Sequence, residues 1–184
     1  MTFRRRNEFK TDYRRRKKVL MSKMPFIYIY ESNRYVWAQV SVPAKEGDRT
    51  VAQANAKDII KGGWQFSGKS YPAFYLVGIL IGKRAVEKGV KEAILYSGLK
   101  AFRTNSKIMA LVKGAVDGGL NVRVDESAFP SDELISGKSI SAYASKLKEA
   151  SYSGIQFSKV SGKIDSMGAI FNEIKGKVLS GELK

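Results

Sequence analysis

Gly63-Trp64-Gln65-Phe66-Ser67-Gly68-Lys69-Ser70 satisfies the spacing G-x-x-x-x-G-K-S, in which loop amides and a lysine cradle the phosphates of a nucleotide. Phosphoryl transfer through such a loop also needs a buried hydrophobic strand feeding it and a second strand ending in an Asp that directs Mg²⁺. Here the preceding Ala56 to Lys61 is polar and helix-like, and the next strand, Ile94-Leu95-Tyr96-Ser97, brings no Asp. The sequence therefore argues against nucleotide hydrolysis. Lys69 and the loop amides remain able to meet a phosphate of RNA, and an NTPase stays as an alternative whose signature would be nucleotide affinity lost at Lys69.

The second concentration of reactive groups is N-terminal. Residues 1 to 24 hold ten Lys or Arg (Arg4, Arg5, Arg6, Lys10, Arg14, Arg15, Arg16, Lys17, Lys18, Lys23) and two acids, half of the chain's net charge of +16. Three consecutive Arg and then five consecutive basic residues repel one another in a packed monomer, whereas Arg forks match phosphate oxygens in pairs. A phosphate backbone is the natural counterpart, and a net +16 makes association with a polyanion steep in salt. The competing readings are a solvated basic tail, a nuclear-targeting patch, or the arm of a DNA-compacting protein. Glu8 and Asp12 interrupt the run and speak against a transit peptide.

Other chemistry is narrowed by what is missing. With no Cys, disulfides and thiolate metal sites are excluded, and with no His the usual general base and the commonest metal ligand are absent. No catalytic residue, metal or cofactor is assigned, and the chain is expected not to be an enzyme. The longest apolar run, Ala73 to Ile81, is about half the ~20 residues of a membrane span. The N-terminus carries charge where a signal peptide needs an apolar stretch, so no membrane partner is expected and the location is read as cytoplasmic.

These groups need elements to hold them. A chain of 184 residues with 43% hydrophobic content can build one core, burying roughly 70% of its unfolded surface. The organisation is read as a basic arm (1–24), a body (25–130) and a helical C-terminal extension (131–184). From Thr11 the arm is expected to be helical, capped by Thr11 or Asp12, with Tyr13, Leu20 and Met24 on one face, and Pro25 ends it. Alternation predicts strands at Phe26 to Tyr30 and Tyr35 to Val42, joined by a turn at Ser32-Asn33, and a third at Thr50 to Ala54. The aliphatic face of this hairpin is expected in the core. Its aromatic and polar face either stacks nucleobases or lies beneath a helix, and helix cover is the expectation because both faces of an α/β sheet are usually covered.

Beyond these, a helix is predicted from about Pro72 to Lys88, a strand at Ala93 to Tyr96, a helix from about Ser106 to Asp117 and a strand near Leu120 to Val124. Gly78 and Gly82, four apart, let another backbone approach, with helix against sheet as the expected use. From Ser131 short helices are expected, then a linker over Ser151 to Gly162. A final helix follows whose stripe of Ile164, Met167, Phe171, Ile174 and Val178 docks on the protein's own body or on another protein, with self-docking favoured.

Several stretches match a known pattern in order and spacing: KTDYRRR (10–16), GDRT (47–50), GW (63–64), YPAFYLVGILIG (71–82), KGVKEAILYSGL (88–99) and LVKGAVDGGL (111–120). They resemble the archaeal and eukaryotic form of large-subunit ribosomal protein L-eighteen, whose eukaryotic members are called L-five. FPSDELISGKSISAY (129–143), YSG (152–154) and the last helix resemble the extension of the archaeal branch. The resemblance implies a three-layer α/β body with a mixed sheet. It also implies binding to 5S rRNA, contact with 23S rRNA, and a place in the central protuberance beside neighbouring large-subunit proteins. Carried over by position, it places Arg4, Arg5, Arg6, Lys10, Thr11, Tyr13, Arg14 and Arg15 on RNA. The candidate set is completed by Arg16, Lys17 and Lys18 of the arm and by Arg34, Lys69, Arg103 and Lys107 of the body. Relatives usually carry a Gly-Ser-Lys or Gly-Ser-Arg step after Gly98, where this chain has Thr104-Asn105-Ser106-Lys107. Ser139 stands where relatives often have His, and no role is transferred to it.

Overall fold

The computed structural model describes residues 3–44, 46–149, 157 and 163–183. The arm holds two helices, α1 (Arg4–Asn7) and α2 (Tyr13–Ser22). β1 (Phe26–Glu31) and β2 (Val36–Val42) form the expected hairpin, closed where the Ser32 hydroxyl donates to the Tyr35 carbonyl at 2.8 Å. β3 (Arg49–Asn55) pairs antiparallel with β2, and between Val40 and Ser41 their register shifts so that Val51 is left unpaired. Then follow α3 (Ala56–Lys61), α4 (Tyr71–Glu87), β4 (Glu92–Tyr96), α5 (Lys107–Asp117), a two-residue β5 (Asn121–Val122), α6 (Asp132–Ser136), α7 (Lys138–Glu149) and α8 (Met167–Ser180). The sheet is mixed, ordered β3-β2-β1-β4-β5, with β4 parallel to both of its neighbours.

Ser70 caps α4 by accepting the Ala73 N–H, and Pro72 sits in the first turn, where its missing donor costs nothing. Twelve of the seventeen residues of α4 are buried, because it lies between the sheet and the other helices. Its glycines meet α5, not the sheet, which corrects the sequence expectation. A Cβ added at Gly78 would stand 2.1 Å from the Leu111 carbonyl oxygen, and one at Gly82 would stand 2.5 Å from that of Ala115. The contact is reciprocal: a Cβ at Gly114 would be 2.2 Å from the Tyr75 oxygen, and one at Gly118 2.6 Å from that of Ile79. Two helix backbones therefore touch along two turns with no side chain between them. At one end the Tyr75 hydroxyl donates to Asp117 at 2.6 Å; burial and then that carboxylate hold the phenol far above its ordinary pKa, so it stays a donor.

Both α4 and α5 pack against the aliphatic face, where Ile27, Ile29, Val36, Ala38, Val40, Ala52, Ala54 and Ala93 are buried. Three layers result, stacked as sheet, helix pair and outer helices. Helix cover of the aromatic face is partial and comes from the arm: α2 crosses it at Phe26, which is buried, while farther along Tyr30 is 54% and Trp37 41% exposed. The crossovers β3-α4-β4 and β4-α5-β5 advance in the same direction across the sheet, and connections of one hand then place both helices on one side.

The stripe Ile164, Met167, Phe171, Ile174 and Val178 is buried, and α8 docks on the protein's own body as expected. The ring of Phe171 lies 5.7 Å from that of Tyr75. The linker expected over 151–162 falls outside the described residues apart from Phe157.

The helix contact makes a prediction with its own control. Gly78→Ala or Gly114→Ala forces a methyl into backbone and should destabilise by ~1 to 3 kcal/mol or more. Gly176→Ala, exposed in α8 with open space around it, should stabilise by about 0.5 to 1 kcal/mol. Denaturant midpoints of the three variants give the comparison; equal shifts for all three would mean that α4 and α5 are not in backbone contact.

Candidate nucleic-acid interface

The arm is held together by its two acids. Glu8 accepts Arg4 and Lys10, each at 2.8 Å, and hydrogen bonds from Lys10 first and Arg4 second hold its carboxyl below the usual carboxylate range. Asp12 caps α2 by accepting the N–H groups of Arg14 and Arg15, which places a negative charge at the positive end of the helix. The Arg5 Nε donates to the Thr11 hydroxyl at 2.9 Å, and the Tyr13 ring stacks on Phe3 with centroids 4.8 Å apart. Tyr13 does not share a buried face with Leu20 as the spacing suggested. α2 begins at Tyr13 with Asp12, one of the two expected caps, in place; Tyr13 and Leu20 stay in phase, but the helix turns Val19 to the body and leaves Leu20 exposed.

Two arginines fasten the arm. Arg15 donates from one nitrogen to the carbonyls of Gly98 at 3.2 Å and Lys100 at 3.1 Å, in the loop after β4. Arg16 turns inward, pairs with Asp48 in the β2–β3 connection, and lies over the rings of Phe26 at 5.1 Å and Tyr96 at 5.8 Å. Arg6, Arg14, Lys17 and Lys18 are exposed and form no ion pair with the described residues.

Between the arm and the sheet lies an open cleft of about 650 Å³. Arg5, Lys10, Thr11 and Tyr13 form one wall, Lys100 and its loop another, and Tyr28, Tyr96 and Gln39 contribute to the floor. The floor continues beyond the arm into a depression of about 200 Å³ lined by Tyr28, Tyr30, Trp37 and Gln39. The pairing register explains this array, since Tyr28 faces Gln39 and Tyr96, and Tyr30 faces Trp37, on one side of three adjacent strands. These aromatic residues and Lys100 lie outside the candidate set read from the sequence. The alternation that exposes them was visible; which face the helices would leave open was not.

The body candidates lie apart from one another. Glu31 accepts Lys100 at 3.0 Å and Lys69 at 3.3 Å, linking Lys69 to the cleft. Burial raises the Glu31 carboxyl pKa, but the bonds from Lys100 and Lys69 outweigh it and hold the group below its ordinary value. Arg34 is exposed in the β1–β2 turn, and Arg103 is exposed in the loop before α5. Lys107 is half-buried, with its ammonium 5.9 Å from the Tyr71 ring centre. The Gly63 to Ser70 loop follows helix α3, not a strand, and its Trp64 and Phe66 are buried in the core, so its side chains fill the fold where a nucleotide loop would wrap phosphate. No cluster of metal-ligating residues occurs among the described residues, and no helix there is long and apolar enough to cross a membrane.

Comparison with known proteins agrees with this geometry. The family described as "Ribosomal large subunit proteins 60S L5, and 50S L18" matches residues 1–93. The large ribosomal subunit protein uL18 of Caldivirga maquilingensis is 42% identical over 183 residues, covering 96% of this chain and 88% of the relative. The protein of the same name from Halobacterium salinarum is 40% identical over 151 residues, covering 82% of each. With a basic arm, an open aromatic sheet face and identity of this extent along nearly the whole chain, the protein belongs to the ribosomal large-subunit family of 60S L5 and 50S L18, structural, non-enzymatic parts of the cytoplasmic ribosome.

Proposed function

We propose that the protein binds 5S rRNA and helps attach it to 23S rRNA in the central protuberance, beside neighbouring large-subunit proteins. In this reading residues 1–24 grip RNA, 25–130 supply the supporting body and 131–184 brace it. The carrying observation is the cleft, where cations on the arm border a floor of half-buried rings that runs on to the exposed Tyr30 and Trp37. Cations alone neutralise any polyanion, duplex DNA included. Flat rings left open beside them suit unstacked bases, which folded RNA offers in loops and bulges and a continuous duplex does not. Within the arm, Arg4, Arg5, Arg6, Lys10, Thr11, Tyr13, Arg14, Lys17 and Lys18 are assigned to the RNA, with Arg34, Lys69, Arg103 and Lys107 as outlying contacts, while Arg15 fastens the arm through the Gly98 and Lys100 carbonyls. Family membership supports the ribosomal setting, and the chemistry of the cleft supports RNA as its occupant.

Two substitutions separate the forces. Arg14→Ala should weaken 5S rRNA binding and flatten the log–log salt dependence by ~0.7 to 0.9, one phosphate contact. Trp37→Ala should cost ~1 to 3 kcal/mol of affinity while the salt slope stays unchanged, because a stacking surface is lost and no cation. Filter binding across a salt series, with random-sequence RNA in parallel, reads both quantities; the same small loss for both variants on both RNAs would mark a featureless polycation.

Lys69→Ala should leave nucleotide binding as absent as in the wild type, since Lys69 is tied to Glu31 and no strand feeds its loop. Calorimetric titration with Mg-ATP and Mg-GTP checks this, and micromolar binding by the wild type that the variant lacks would reinstate the phosphate loop.

A further inference from the structure

Arg16 is the cation of the basic run that the fold draws in, with its side chain 19% exposed against Asp48 at 30%. Its guanidinium is sandwiched by chemistry of two kinds, the Asp48 carboxylate and the faces of Phe26 and Tyr96. We infer that Asp48, with the rings of Phe26 and Tyr96, is a positioning site that holds the arm over the cleft before RNA arrives, with Arg16 as its anchor and not a phosphate contact. This deepens the RNA-binding reading above and rests on it.

An arm carrying half of a net +16 is repelled by itself and by a body that is also positive, so docking it needs a fixed acid and a surface that attracts guanidinium. Asp48 stands at the end of the β2–β3 connection, one residue before β3 begins, so sheet pairing fixes its position. Arg15 supplies the second attachment through the carbonyls of Gly98 and Lys100, and together the two arginines set which face of α2 is presented to RNA. Arg14, Lys17 and Lys18 are thereby left outward. Ordering done in the free protein is ordering that binding need not supply.

Charge and positioning act in opposite directions at Asp48. Removing an acid from a basic protein strengthens its long-range attraction for RNA, so charge alone makes Asp48→Asn bind more tightly. Loss of positioning makes it bind more weakly. If the docked arm falls to about one tenth of the population, the apparent Kd rises about tenfold.

The test uses full-length protein carrying Asp48→Asn, Arg16→Ala, or both, bound to 5S rRNA over a salt series. Trypsin cleavage within residues 14–18 of the free protein reports docking. Expected are about five- to tenfold weaker binding by Asp48→Asn with an unchanged salt slope, faster arm cleavage, and an unaltered global unfolding midpoint. The double variant should be no weaker than Arg16→Ala alone, and Asp48→Glu should restore most of the affinity. Affinity equal to or tighter than wild type for Asp48→Asn, or additive effects in the double variant, overturns the inference. If that happens while Arg14→Ala still weakens binding and flattens the slope, the RNA-binding reading stands without it. If the wild type itself does not prefer 5S rRNA to random-sequence RNA, both fall.

Discussion

The contact between α4 and α5 is the constraint on which the rest of the molecule depends. Gly78, Gly82, Gly114 and Gly118 remove side chains from the seam, so the two backbones meet and the helix pair becomes thin enough to lie wholly on the aliphatic face of the sheet. Close packing of this kind tolerates little change in volume, which makes the pair a rigid slab and not a flexible cover. The outer helices α6 and α8 then pack against α4, extending the same core. All the described helical mass of the body lies on one side, and the opposite face of the sheet is left for another purpose.

The cations of the arm lie over that opposite face, and across the whole molecule the fold divides its cations by use. Arg15 and Arg16 are spent on holding the arm; Lys69 and Lys100 share Glu31; Arg84 pairs with Asp58. Arg84 also donates to the Gln53 carbonyl and Lys88 to that of Val51, both at 2.7 Å, so cations of α4 occupy acceptors along the outer strand of the sheet and discourage pairing with another chain there. Arg6, Arg14, Lys17 and Lys18 remain exposed without an ion pair to the described residues. Net charge therefore overstates how many cations are free to meet RNA, and a count along the sequence cannot separate anchors from contacts.

Several features follow from local physics and were legible in the residues. Alternation in Phe26 to Tyr30 and Tyr35 to Val42 specified the hairpin, because a period of two puts successive side chains on opposite faces. Pro72, whose missing donor costs nothing in a first turn, marked the start of α4, and the helix expected from about Ser106 begins at Lys107, while the capping by the Ser70 and Ser106 hydroxyls became visible in the fold. The three-and-four spacing of Ile164, Met167, Phe171, Ile174 and Val178 specified a helix with one face to bury. The absence of a strand before Gly63 was enough to set the nucleotide loop aside.

What tertiary structure alone decided is which surfaces meet. A glycine pair four apart states that a backbone can approach but not whether it belongs to a sheet or a helix, and α5 supplied the answer through its own Gly114 and Gly118. The aromatic face of the hairpin reads the same whether it is covered or open; the body helices leave it because two crossovers advance in one direction and share a side, so α2 of the arm covers its Phe26 end and Tyr30 and Trp37 stay exposed. Arg14 and Arg16 are identical in type and two residues apart, yet one points to solvent and the other onto Asp48, because the phase of α2 is set by Asp12 and by where the arm lands on the sheet. The sequence by itself determined the charge, the periods and the caps, which depend on neighbours along the chain. The anchor, the cleft and the exposed rings depend on contacts between segments distant in sequence, and those exist only once the helices have chosen a face.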